Sequence, residues 1–393
     1  MIRRVVLDCG VAETRAVRLE GDDIVEFWFG PAPGDESLKR APEAGDIFCG
    51  RVARTSTGLH GAFIDIGADR DAFLALAEGA AAPVEGERLL VAVRRPPLGR
   101  KGALVSRAWG EGLSPEQRAA IEARAAQARG LMNPTSAAML ALRALHVCEL
   151  DRVEAVSLEA AAALPPDATL RDDPDFADTI NDALDRALER TVALPGGARL
   201  TVDETEGGAV VDVDAGAAAE GRPSAGDLVN AAAANVVFLE LSRRAIGGRI
   251  MVDFIAPKGK QARLTLLRRL AEAPRGGYEY RLGVLSADGL LDLTAPRRRR
   301  SLLEQASEPD GARPRPGRRF TLDWQAKAAI RALESKLRRL PKARPTLLAG
   351  RELADYLAVE RPQWRDRLLQ RHGGRFAIEA RDHLGRRDFD LVE

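Results

Sequence analysis

The sequence predicts an α/β multidomain chain with a small closed β-barrel of the OB type near its N-terminus. Three observations predict it. Several short strand patterns crowd the stretch after Gly45, separated by glycine and proline, as a small barrel requires. From Leu194 onward strand and helix patterns alternate, which argues for a sheet with helices packed on it. The chain has 393 residues, and at ~150 residues per domain that is two to four domains. With 45% hydrophobic and 30% charged residues, the chain can bury a sizeable core.

Composition also excludes classes. Three cysteines, Cys9, Cys49 and Cys148, stand singly, so there is neither a disulfide framework nor a cysteine-rich zinc site to read. Four dispersed histidines add no transition-metal pattern. No apolar run approaches the ~18–20 residues of a membrane span, and Met1–Gly10 lacks a signal-peptide core. A cytoplasmic protein without membrane or small-molecule cofactor is expected. The net charge of +1 is uninformative, but residues 297–319 hold eight arginines against Glu304, Glu308 and Asp310. Broken by prolines, that run reads either as a solvated linker or as a track for phosphates.

The elements follow in order. Strands are expected at Arg3–Asp8, Arg15–Leu19 and Ile24–Phe29, with Gly21-Asp22 as a hairpin-type turn. The Pro/Gly-rich stretch 30–34 marks a boundary. Barrel strands are expected at Asp46–Arg54, Ala62–Asp65, Asp71–Leu74, Arg88–Arg94 and Gly102–Ser106. Ser114, Pro115 and Gln117 then form a capping box for a helix that Gly130 can close. An alanine-rich helix near Pro134–Leu145 and a strand at Arg152–Val156 come next. Ile180, Leu184 and Leu188 recur every four residues and predict an amphipathic helix. Strands Arg199–Asp203, Ala209–Asp214, Arg249–Ile255 and Tyr278–Leu285 alternate with helices Leu228–Ala245 and Gln261–Ala273. Helix Leu322–Leu340 and a small α/β tail complete the chain.

The sharpest chemical signal is the trio Asp212, Asp214 and Asp253. Alternation in 208–215 puts Asp212 and Asp214 on one face of a strand. Asp253 sits in an apolar strand, where a buried unpaired carboxylate would be costly. A divalent cation such as Mg²⁺, which prefers oxygen ligands, would remove that cost. Carboxylates two residues apart on a strand are too far apart for both to be direct ligands without a bend, so one is expected to act through water. On pattern alone, Asp212 and Asp214 also fit the solvent face of an amphipathic strand, and Asp253 a helix or loop cap. Phe63 and Phe73 lie on neighbouring barrel strands and could stack on single-stranded bases, with Lys101 holding a phosphate. They fit a barrel core equally well.

The order of these parts resembles the ribonuclease E/G family across nearly the whole chain. The stretch from Gly45-Asp-Ile-Phe through Ala72-Phe-Leu is similar to that family's S1 RNA-binding domain, including both aromatics and the Lys101-Gly102 pair. Leu194-Pro-Gly-Gly, Val202-Asp-Glu-Thr-Glu, Val211-Asp-Val-Asp and Ile246–Ile255 are similar to its nuclease motifs. The resemblance implies that Asp212 and Asp253 bind catalytic Mg²⁺, for which Mn²⁺ can substitute. It implies that Asp214 tends the hydration shell and that Phe63, Phe73 and Lys101 contact RNA; Glu206 is a further candidate for the hydration shell. It further implies an RNase H-like subdomain (1–44 and 109–178) with an inserted S1 barrel (45–108). A DNase I-like catalytic domain (179–300), a basic linker (301–320) and a small C-terminal domain (321–393) would follow.

Departures shape the expectation. The family commonly has asparagine where this chain has Asp214, and the extra charge predicts tighter divalent binding. No Arg-Thr pair of the family's 5′-end sensor is found, and 301–319 contains no cysteine for the family's zinc link, so zinc and zinc-linked dimers or tetramers are not expected. The family's Asn-x-Glu survives only as Asn230, with Ala232 in place of the acid. The reading is a Mg²⁺-dependent endoribonuclease of RNA processing, including rRNA processing, or decay. It would act on single-stranded RNA and leave 5′-phosphate and 3′-hydroxyl ends. The alternatives are a noncatalytic RNA-binding factor that keeps the fold, and a nuclease for structured RNA or DNA.

Overall fold

The computed structural model describes residues 3–32, 41–77, 79–99, 101–133, 135–145, 151–171, 173, 175–205, 207–219, 225–310 and 317–392. The chain forms two compact units, one of residues 1–33, 145–297 and 301–393, the other of 34–144 and 298–300. Mixed α/β structure with one closed barrel is what the sequence predicted. Among the described residues no helix is long and apolar enough to cross a membrane.

The first strands are β1 (Arg3–Cys9), β2 (Glu13–Glu20) and β3 (Asp23–Pro31), an antiparallel meander within a residue or two of expectation. In the second unit come β4 (Ile47–Ser56), β5 (Gly61–Asp65), β6 (Ala72–Ala75), β7 (Arg88–Arg95) and β8 (Leu104–Ser106). They close in the order β4-β5-β6-β8-β7 and back to β4, which leaves no free edge among those five. Inward residues Val52, Ala62, Ile64, Ala72, Leu74, Val91, Val93 and Val105 fill the barrel. Helix α1 (Pro115–Gln127) starts with the expected capping box. It stops three residues before Gly130, which instead opens the short strand β9 (Gly130–Leu131) on β4. Helix α2 (Ala137–Ala144) follows.

Back in the first unit, β10 (Arg152–Ala155), α3 (Leu158–Ala162), β11 (Thr169–Leu170) and α4 (Phe176–Leu188) appear. Strands β10 and β11 add in parallel beside β1, giving the order β3-β2-β1-β10-β11. Ile180 and Leu184 of α4, with Leu188 partly buried beside them, form the predicted stripe; joined by Phe176, it packs on Val6, Val17 and Phe27. Each such burial is worth ~1.5–3 kcal/mol.

The next sheet consists of β12 (Thr191–Ala193), β13 (Arg199–Thr205), β14 (Gly208–Asp214), β15 (Gly248–Asp253), β16 (Arg281–Leu285) and β17 (Leu290–Ala295), in the order β12-β13-β14-β15-β17-β16. Helix α5 (Ala225–Arg243) carries the chain from β14 to β15, which makes that pair parallel, and α6 (Gly259–Glu272) follows β15. Both helices lie over one face, where Leu200, Val202, Val211, Ile250, Val252, Leu291 and Leu293 meet Val237, Phe238, Leu266 and Leu270. Strands β12 and β17 were missed by sequence reading.

Segment 301–320, expected as a linker, holds α7 (Leu302–Ala306) and a hairpin of β18 (Ser307–Asp310) and β19 (Gly317–Phe320). Part of its basic run is engaged: Arg297 pairs with Glu304 at 2.6 Å, and Arg319 with Glu308 at 3.0 Å. Helix α8 (Leu322–Arg339) begins at Thr321, whose hydroxyl accepts from the Trp324 N–H at 3.2 Å. The tail comprises β20 (Thr346–Ala349), α9 (Arg351–Asp355), α10 (Pro362–His372), β21 (Ala377–Ala380) and β22 (Phe389–Val392). Its core joins Leu333 and Leu337 of α8 to Val11 and Ala12.

Candidate metal centre and nucleic-acid interface

Opposite the helices, the β12–β17 sheet presents an open face. Alternation along β14 turns Val211 and Val213 inward and leaves Val210, Asp212 and Asp214 outward. On β15 it turns Ile250 and Val252 inward and leaves Arg249, Met251 and Asp253 outward. Strand register then decides what meets. Asp212 is the direct partner of Asp253 across the parallel pair, so the two carboxylates stand on one face of adjacent strands, whose backbones are ~4.8 Å apart.

Asp253 corrects one sequence expectation. It is solvent-facing, not a carboxylate enclosed in core, so no burial penalty calls for a cation. The apolar look of Arg249–Ile255 misled because Met251, 37% exposed, lies on the open face with it.

Five aspartates share this face among the described residues: Asp203, Asp212, Asp214, Asp253 and Asp292. Three are matched by arginines. Asp203 accepts a two-pronged bond from Arg190, at 2.6 and 2.8 Å, which holds its carboxyl below the usual range. Asp214 is ion-paired to Arg199, its register partner on β13, and accepts from the Gly216 N–H at 2.9 Å. That backbone donor first, and Arg199 after it, keep Asp214 ionised to lower pH than an ordinary aspartate. Asp292 lies 3.9 Å from Arg249. Asp212 and Asp253 are the two left without an ion pair. Partial burial, followed by the charges of Asp253 and Asp214, pushes the Asp212 pKa up. A cation beside the pair would offset that repulsion at Asp212.

The donor set fits a hard cation. Among the described residues no group of three His, Cys, Asp or Glu side chains converges enough to cage a metal. Two unpaired carboxylates beside open solvent instead match Mg²⁺, which keeps several waters and takes only one or two protein carboxylates. Asp214 does not join the pair directly, because Arg199 and Gly216 hold it. Glu206 lies outside the described residues.

Asn230 of α5 fixes the backbone just beyond Asp253. Its side-chain amide donates to the Ile255 carbonyl at 2.7 Å and its oxygen accepts from the Ile255 N–H at 3.0 Å. Sequence reading had singled out Asn230 without a role, and it missed Arg199 altogether. Only register puts Arg199 opposite Asp214.

The barrel holds the second set. Phe63 on β5 and Phe73 on β6 are register partners, with ring centroids 5.3 Å apart and planes at 60°. Both are half-buried and lie outside the barrel core, so the core reading does not hold. Arg54 of β4 lays its guanidinium 3.6 Å from the Phe63 centroid, a cation–π contact. Gly61 leaves room for the Phe73 ring, into which a Cβ there would run. Lys101 is exposed, bridged through its backbone to Leu98, and followed by Gly102, which packs directly on the Asp71 carbonyl. The lysine segment is thus held beside the strand that carries Phe73.

Comparisons with known proteins point to one family. Residues 168–300 match the model of the Ribonuclease E/G family, a segment containing Asp212, Asp214 and Asp253. The chain is similar to Ribonuclease G of Escherichia coli K12, 24% identical over 405 residues covering 77% of this chain and 81% of that protein. It is also similar to the chloroplastic Ribonuclease E/G-like protein of Arabidopsis thaliana, 30% identical over 135 residues, 33% of this chain and 14% of the relative. Ribonuclease E of Nostoc sp. PCC 7120 is 30% identical over 128 residues, 32% of this chain and 19% of the relative.

Proposed function

We propose that this chain, a member of the ribonuclease E/G family, is a divalent-metal-dependent endoribonuclease acting on single-stranded RNA in RNA processing or decay. The observation that carries the reading is the pair Asp212 and Asp253, in register and without counter-ions on a face where the other aspartates are matched.

In this reading Asp212 and Asp253 hold Mg²⁺, or Mn²⁺ in its place, which supplies Lewis-acid polarisation of the phosphodiester and activation of water. Asp214, fixed by Arg199 and Gly216, orients water at the edge of the pair, and Glu206 is the further candidate for that task. Phe63 and Phe73 stack on bases, each worth ~1–3 kcal/mol, and Lys101 neutralises a phosphate. In-line attack leaves a 5′-phosphate and a 3′-hydroxyl.

The finer architecture belongs to the same proposal. The sheet order β3-β2-β1-β10-β11, with β2 the antiparallel member, supports an RNase H-like sheet built from 3–31 and 152–170, whereas 109–144 of the expected subdomain (1–44 and 109–178) fall in the compact unit of the barrel. The closed barrel supports an inserted S1 domain of 45–108. Residues 179–300 would be the DNase I-like catalytic domain, and 321–393 the small C-terminal one.

The test is cleavage of an end-labelled A/U-rich RNA with Mg²⁺, against duplex RNA and single-stranded DNA, in 5′-hydroxyl and 5′-monophosphate forms. Metal-dependent cuts in single-stranded RNA with 5′-phosphate products are expected. Tight binding without cleavage under any metal would replace the reading with an RNA-binding factor.

A further inference from the structure

The open face of the β12–β17 sheet has a second feature that the carboxylate pair does not use. Below Asp212 and Asp253 the next outward register row runs Asp203, Val210, Met251, Asp292. The row after that carries Arg249, Thr294 and Arg281, because Arg249 pairs with Thr294 and Thr294 with Arg281. Away from the acidic end, the face therefore changes from two bare carboxylates, to an apolar shelf of Val210 and Met251, to two guanidinium groups.

The charges on these rows are not equivalent. The Arg249 side chain is 79% exposed and its nearest carboxylate oxygen, on Asp292, is 3.9 Å away, too long for a hydrogen bond. Arg281 is exposed on the edge strand β16, with no ion-pair partner among the described residues. Arg249 keeps only this long, exposed ion pair to Asp292, so both guanidinium groups can still take a planar, two-oxygen anion. Four residues along β15 separate Arg249 from Asp253, about 13 Å at the rise of a strand.

We propose that this face is the track along which the RNA lies, with Arg249 and Arg281 binding a backbone phosphate away from the scissile one. Met251 and Val210 form the shelf that faces the intervening nucleotide. The inference rests on the nuclease reading, since the carboxylate pair fixes where the scissile phosphate sits. The arrangement suits a phosphodiester chain better than an acidic peptide, because a cation site for one phosphate and an arginine pair for another stand about 13 Å apart along one strand. The pair at the far end adds an anchor that contributes to binding without touching the reacting atoms. Arg249 and Arg281 are positioning residues.

The experiment measures affinity of the full chain for a fluorescein-labelled single-stranded RNA across a salt series, with Ca²⁺ in place of Mg²⁺. Wild type is compared with Arg249→Ala/Arg281→Ala and with Arg249→Lys/Arg281→Lys, each checked by thermal melting. Loss of the one phosphate that the pair neutralises predicts a salt slope shallower by ~0.7 on a single strand, with the lysine pair retaining the wild-type slope. In Mg²⁺ the alanine pair should raise KM with kcat held, and should do so only for RNAs long enough on one side of the cut. An unchanged slope and KM overturns the track while leaving the nuclease standing. A reduced slope in a chain that never cleaves overturns the nuclease reading while leaving the phosphate anchor standing.

Discussion

Asp212 and Asp253 are register partners across the parallel strands β14 and β15, and among the described residues neither forms an ion pair. Like charges directly opposite on a sheet cost stability, by roughly 0.2–1 kcal/mol. The metal-free protein therefore melts higher, not lower, when either is replaced by asparagine. Saturating Mg²⁺ raises the Tm of the wild type, by the binding linkage RT ln(1 + [L]/Kd), more than that of Asp212→Asn or Asp253→Asn. Melting curves in EDTA and in Mg²⁺ check both; equal metal shifts in all three proteins would remove the pair as the site.

The raised pKa of Asp212 gives a pH dependence with a definite sign. Partial burial and the charges of Asp253 and Asp214 favour its protonated form, and only the ionised form binds a cation. Activity is fully present above the raised pKa and is lost as pH falls through it. The acid limb of kcat/KM therefore lies at higher pH than an unperturbed aspartate would give, and it moves to lower pH as Mg²⁺ is increased. A limb that stays fixed across a Mg²⁺ series would contradict the assignment.

Arg199 offsets the extra charge that Asp214 brings to the face. Removing one partner exposes the other. Arg199→Ala leaves a bare carboxylate near the pair and tightens divalent binding a few-fold; Asp214→Asn leaves a bare guanidinium and weakens it. The double variant returns close to the wild type, because an exposed ion pair removed as a whole leaves no bare charge behind. Metal titration of the four proteins measures this. The same affinity in all four would mean that neither side chain reaches the ion's surroundings.

Phe63→Leu and Phe73→Leu leave the barrel folded, because Ile64, Leu74, Val91 and Val93 make its core without them. Each variant loses ~1–3 kcal/mol of single-stranded RNA affinity if a base stacks there. Gly61→Ala mimics Phe73→Leu by displacing the ring. Anisotropy titration with thermal melts as controls separates lost stacking from lost fold.

Much of this was legible in the sequence, and the part that was not has one cause. The alternation of 208–214 showed that Asp212 and Asp214 share a face, and the Ser114 box placed the start of α1 to the residue. Strand register leaves no trace in local pattern. Hence the adjacency of Asp212 and Asp253, the pairing of Arg199 with Asp214, and the row of Arg249 and Arg281 emerged only from the fold. Asp253 was read as buried because period-2 patterning fails when an exposed position carries methionine, as Met251 does. Strand β17 was missed because Leu290-Leu291 reads as part of a turn, whereas Leu291 and Leu293 are core and Asp292 faces out. Helix α7 and its hairpin hid inside a run whose prolines and arginines read as linker.

The central claim is that Asp253 and Asp212 together form the cleaving site. Its most direct measurement is the rate of single-stranded RNA cleavage in Mg²⁺ by wild type and by Asp253→Asn, with melting curves confirming that both are folded. Losing even an outer partner of a metal typically costs 10–100-fold in affinity or activity, so loss of this carboxylate predicts a fall of at least ~100-fold. Folded Asp253→Asn that cleaves at the wild-type rate would contradict the account.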